Sequence, residues 1–211
     1  MIKEIALEDI DNIQKAIDAG ANRVEVNDNL EVGGLTPSID NVAAALEITE
    51  KAGVDLVVMV RPKVGNFVYS SADLQTMIES LNELKALGVK TVTFGAVTAG
   101  KKIDTQTMSR LLEVSSPMEV VFHMAFDAIR RDKQAGAINW LADNGVSRIL
   151  THGGDLSTPI EENLDHLERT IQEARGQIEI LPGGGITFEN YERVVRRLGV
   201  SQVHGSRIVK F

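Results

Sequence analysis

Short apolar runs of strand length alternate along the chain with longer segments whose apolar positions recur every three or four residues. The runs cover about 2–7, 22–27, 54–60, 89–95, 118–123, 147–151, 177–181 and 200–204. Between them, Ile10, Ile13 and Ile17, or Leu74, Met77/Ile78, Leu81 and Leu84/Leu87, repeat at the spacing of one helix face. Six glycines close the helical segments and stand directly before apolar runs: Gly20, Gly53, Gly88, Gly145, Gly176 and Gly199. Glycine suits that place because it readily adopts the left-handed conformation that ends a helix. Ser115-Ser116-Pro117 precedes the fifth run in place of a glycine. Ser38, Asp104 and Thr187 stand where N-caps are expected, and Thr158-Pro159-Ile160-Glu161 has the form of a capping box.

Strands alternating with helices predict a parallel sheet with right-handed crossovers. Eight such units in 211 residues predict one domain over 1–211, a (β/α)8 TIM-type barrel. An open doubly wound sheet is the alternative, but Leu7-Glu8-Asp9 carries no dinucleotide-type glycine fingerprint. Only Gly205–Phe211 follows the last strand, so the eighth helix is missing or vestigial. An uncovered stretch of barrel wall there favours a homo-oligomer.

Composition narrows the function. A net charge of −8 argues against nucleic acid and anionic membranes as partners. The basic cluster Arg130, Arg131 and Lys133 reads as a solvated loop. Without cysteine there is no thiolate or disulfide chemistry, and a cytoplasmic address is permitted. No apolar run approaches the roughly 20 residues that span a bilayer.

In a barrel of this kind ligands bind at the C-terminal ends of the strands. Those ends carry Glu25, Arg61, His123, Asp127, His152 and His204, whereas His166 falls on a helix and reads as surface. Glu25 and Arg61 are placed to pair across neighbouring strands. His123 and Asp127 are candidates for a general acid–base and its orienting carboxylate. Gly183, Gly184 and Gly185 open the segment after the seventh strand, and Gly205 and Ser206 follow the eighth. Together with Arg61 and His204 they are candidate ligands for a small anion. His123, His152 and His204, with Met124 as a soft neighbour, are the candidate metal ligands. Two functions follow: a metal-handling protein, or an isomerase, epimerase or lyase acting on a small phosphate- or carboxylate-bearing substrate.

The stretches GANRVEV (20–26), EVGGLTPS (31–38), Arg61-Pro62 with GNFVYS (65–70), FHMAFD (122–127), Ile149-Leu150-Thr151 and Val203-His204 resemble the CutC family, known as copper homeostasis proteins. That resemblance implies a TIM-type barrel, a cytoplasmic and often homo-oligomeric protein, and a role in copper handling. Glu4, Glu25, Arg61, His123, Asp127 and His204 match family positions. The family's cysteines fall at positions matching Ala6, Leu7 and Asn27, so thiolate capture of copper is not available to this chain. Met124 replaces a family arginine, and His152 replaces a serine.

Overall fold

A computed structural model describes all residues 1–211. Eight strands carry the barrel: β1 (Ile2–Leu7), β2 (Arg23–Val26), β3 (Asp55–Met59), β4 (Thr91–Phe94), β5 (Glu119–Phe122), β6 (Arg148–Thr151), β7 (Glu179–Pro182) and β8 (Gln202–His204). Seven helices fill the crossovers: α1 (Ile13–Asp18), α2 (Ile39–Ala52), α3 (Ser71–Leu87), α4 (Thr105–Ser115), α5 (Arg131–Asp143), α6 (Ile160–Ala174) and α7 (Tyr191–Leu198). All strand pairs are parallel, in the order β7-β6-β5-β4-β3-β2-β1-β8. The barrel closes except for a seam between β7 and β8, which touch without a ladder.

The strand residues divide by alternation. Ile5, Val24, Val58, Val92, Phe94, Val120, Phe122, Ile149 and Val203 belong to one continuous core shared with the helices. The alternate positions face the barrel axis, and many are polar: Glu4, Arg23, Glu25, Thr91, Thr93, Arg148 and Gln202, all buried. Val121, Leu150 and Leu181 form a small apolar plug on the axis. Sheet register then sets which polar groups meet. Glu4 is level with Arg23 on β2 and with His204 on β8.

The six punctuating glycines all have positive φ, from +66° to +97°, so the repeat reading holds. Ser38 and Asp104 cap α2 and α4, each accepting a bond from the backbone amide three residues on. Two caps differ from expectation. Pro159 rather than Thr158 precedes α6, because the Thr158 hydroxyl donates to Asp155 O. Thr187 does not open a helix. Its side chain caps only a local turn, and α7 begins four residues later behind Asn190.

No eighth helix follows β8. The wall is nonetheless covered, since Ile208 and Val209 of the tail are buried. No helix is long and apolar enough to cross a membrane.

Candidate functional site

The C-terminal ends of the strands surround a cavity of about 230 Å³, room for about eight waters at liquid density. Glu25 and Asn27 from β2 and its exit, His123 after β5 and His204 on β8 supply its polar wall. Met59, Phe67, Met124, Leu150 and Leu156 supply the apolar wall, and Gly184, Gly185, Ser206 and Arg207 the rim.

Beneath the cavity lies a buried charged chain. Arg23 donates to Glu4 and to Gln202, and Glu4 Oε1 bonds His204 Nδ1 at 2.7 Å. Burial opposes the Glu4 carboxylate, but the bond from His204 and the charges of His204 and Arg23 outweigh it. They hold its pKa at about 2. Burial also opposes charge on His204, yet Glu25 and Glu4 together raise its pKa above the ordinary imidazole value. The two carboxylates thus favour the charged form of His204, whose ring is held by Glu4 at the cavity wall.

Glu25 is different. Asn27 Nδ2 donates to its Oε1 at 3.0 Å, while its Oε2 is buried and has no partner. Burial, reinforced by the Glu4 charge, raises its pKa despite the opposing pull of His204, Asn27 and Arg23. A carboxyl of this kind holds its proton to higher pH than an ordinary glutamate.

His123 directly follows β5, the strand across the barrel from β1. Burial, with the Arg61 charge adding to it, lowers its pKa to about 3, so the ring is neutral. The amide of Ala125 donates to His123 Nδ1 at 3.2 Å, which requires that nitrogen to be bare. The ring proton therefore sits on Nε2, which is buried and has no partner. Gly95 makes room for the ring, since a Cβ there would lie 2.9 Å from Nδ1. Phe67 packs on the ring's other side at 4.8 Å between centroids.

Several sequence-level pairings are not formed. Arg61 does not reach Glu25. Its guanidinium donates to Val32 O, Gly34 O and Gly65 O and stacks over Phe67, so it ties two loops together beside the cavity instead of lining it. Asp127 does not orient His123. Its carboxylate accepts from Thr151 Oγ1 and the amides of His152 and Gly153, which draws the β5 and β6 exits together. His152 turns away, with Nδ1 against the carbonyls of Gly183 and Gly184 and Nε2 against Asn163 and Thr158, so the three histidines do not gather round one ion. The potential metal donors that do converge are Glu4, Glu25 and His204, within 4.8 Å of one another. His166 is half-buried and bonded to Gln134, not free surface.

Of the glycine candidates, Gly184, Gly185 and Gly205 line the cavity with Ser206, whereas the Gly183 amide is spent on Thr151 O. The absence of a helix directly after Gly185 removes the expected helix dipole from this place. Gly205 lies against Ile186, and a Cβ there would strike the Ile186 carbonyl oxygen. Gly205→Ala is expected to destabilise the fold by about 1–3 kcal/mol, read from urea unfolding, because backbone cannot yield as a side chain would.

The fold and this cavity define a (β/α)8-barrel protein with a polar, partly enclosed cavity at the C-terminal ends of its strands. The CutC family profile matches residues 1–209, and the chain belongs to that family. It is 44% identical over 209 residues to a CutC family protein of Enterococcus faecalis, covering 99% of this chain and all of that one. It is 34% identical over 200 residues to the human copper homeostasis protein cutC homolog, covering 93% of this chain and 71% of that one. The solved CutC structure of Streptococcus agalactiae superposes with a TM-score of 0.96 at 37% identity, covering 99% of this chain and 100% of that one.

Proposed function

We propose that the chain is an acid–base enzyme of the isomerase, epimerase or lyase type. It acts on a small anionic substrate that carries a carbonyl or hydroxyl group. One observation carries this reading. Two buried groups without partners, Glu25 Oε2 and His123 Nε2–H, belong to residues that line one cavity, from β2 and from the exit of β5.

The roles follow from their chemistry. Ionised Glu25 removes a proton from carbon next to a carbonyl. His123 donates its Nε2–H to the carbonyl oxygen and stabilises the negative charge that develops there. A neutral imidazole does this without protonating the oxygen outright. The His204 cation favours an anionic state of the site, and Glu4 holds its ring. Glu25 then returns the proton to carbon. No lysine lines the cavity, so capture of the carbonyl as an imine is not open to these residues. Cytoplasmic action as a homo-oligomer belongs to the same proposal.

The test is solvent exchange. A panel of small hydroxycarbonyl acids and phosphates is incubated in D2O and followed by proton NMR. Deuterium should enter one compound beside its carbonyl, and Glu25→Gln should slow this by about 10²–10⁴-fold. Exchange at the same rate in Glu25→Gln, or none across the panel, contradicts the reading.

Copper handling is the second reading, favoured by the convergence of Glu4, Glu25 and His204. The fit is poor for Cu(I), a soft ion that selects thiolates and thioethers. Two carboxylates and an imidazole suit a divalent ion better, and Glu4 is already bonded to Arg23 and His204. Metal analysis of protein purified without chelator decides this reading. Stoichiometric copper lost in Glu25→Gln supports it, and metal-free protein that binds none on titration rejects it.

A further inference from the structure

Opposite in character to the carboxylates, the rim between the β7 and β8 exits carries backbone donors without partners and a cationic side chain. The amides of Gly184, Gly185 and Ser206 donate to no group of the protein. Arg207 is exposed, lines the same cavity and pairs with no carboxylate. No acid lines this end: its wall is Gly184, Gly185, Ile186, Thr187, Gly205, Ser206 and Arg207. In a chain of net charge −8 such a patch is selective for anions because of its place.

The two loops are held in fixed relation. Phe188 N donates to Arg207 O at 2.8 Å, and Thr187 and Arg207 form a parallel bridge. Gly205 allows the Ile186 carbonyl to close in, which no side chain would permit. Free amides thus come from two loops that cannot drift apart, and the Arg207 side chain lines the same end of the cavity. A planar carboxylate has two oxygens for such donors. A phosphate monoester has three, arranged as a tetrahedron, together with a second negative charge. Loops after the seventh and eighth strands of barrels commonly serve phosphate.

We propose that the substrate is a phosphate monoester, its phosphate held by the amides of Gly184, Gly185 and Ser206 and by the Arg207 side chain. This rests on the cavity being a substrate site, and it fixes which end of the substrate lies where. The phosphate sits at the β7–β8 rim, and the carbon to be deprotonated reaches inward to Glu25 and His123. About 230 Å³ limits the remainder to a short chain or single ring.

The experiment is calorimetric titration of the full chain with glycerol 3-phosphate and inorganic phosphate, and with acetate as the carboxylate control. Arg207→Met should weaken phosphate binding about tenfold. Arg196→Met, which removes the same charge from the exposed face of α7, should leave it unchanged. Glu25→Gln should retain phosphate binding. Equal weakening by both arginine variants, acetate bound as tightly as phosphate, or no phosphate binding at all overturns the proposal. The two claims fail separately. Phosphate binding with exchange unaffected by Glu25→Gln sinks only the acid–base reading, and Glu25-dependent exchange on an unphosphorylated acid sinks only the phosphate.

Discussion

Glu4→Ala is expected to remove about 3–5 kcal/mol of folding stability, the cost of breaking a buried ion pair from one side. The carboxylate is the one group bonded to both buried cations, Arg23 and His204. Without it, two desolvated positive charges share the barrel axis, and only Glu25 lies near enough to offset His204. For a chain of this length each kcal/mol shifts the melting temperature by roughly 2–4 °C. The expected drop is therefore about 6–20 °C, read by circular dichroism at neutral pH. A loss under about 1 kcal/mol would mean that water reaches the chain and that its charges are not coupled.

The second large effect is acid lability centred on His123. The folded protein holds this ring neutral to about pH 3, whereas the unfolded chain takes up a proton near 6.5. Between those values the unfolded state binds more protons, so stability is full above about 6.5 and is lost as pH falls. The slope is about 1.4 kcal/mol per pH unit, which accumulates to something on the order of 5 kcal/mol. Glu4, lowered from 4.5 to about 2, adds to the loss at the acid end of the window. Glu25 and His204 act with the opposite sign. Their raised values make the folded state the better proton acceptor, so their contribution is present at low pH and fades as pH rises through the folded values. Urea midpoints for wild type and His123→Asn, taken from pH 4 to 7, isolate the histidine. Near pH 5–6 the variant's slope should fall below that of wild type by most of the histidine's contribution, because the Glu4 and Glu25 contributions are common to both proteins. An unchanged slope would place the acid sensitivity elsewhere.

The barrel was legible because its determinants are local. A helix end that needs a left-handed residue, followed by an apolar run, can be read one unit at a time. The strand ends that carry Glu25, His123 and His204 were legible for the same reason, since topology alone directs ligands to that face. What each side chain meets was not legible. Arg61 stood near Glu25 by strand order, yet the carbonyls of the following loops took its donors. Asp127 was close to His123 in sequence, but the β6 exit offered it a hydroxyl and two amides. His152 sat at the correct strand end and turned outward to Asn163.

One missed signal was present all along. Strands β2, β4 and β8 place polar residues at every second position, Arg23 and Glu25, Thr91 and Thr93, Gln202 and His204, and β1 adds Glu4. In a parallel barrel buried on both faces, such alternation marks a polar interior. It would have brought Arg23 and Gln202 into the site beside Glu4. The Thr158 and Thr187 caps failed for a related reason. Short polar side chains satisfy a nearby turn as readily as a helix start, and sequence does not show which amide is within reach.

The central claim is the arrangement of protons across the cavity: a neutral His123 with its hydrogen on Nε2, facing a glutamate of raised pKa beside a cationic His204. Long-range proton–nitrogen correlation spectra of the histidine rings, recorded at neutral pH on nitrogen-labelled protein, read this directly. The account predicts a bare Nδ1 and a protonated Nε2 for His123, and two protonated nitrogens for His204. A protonated Nδ1 on His123, or a His204 that is neutral at pH 7, would contradict it.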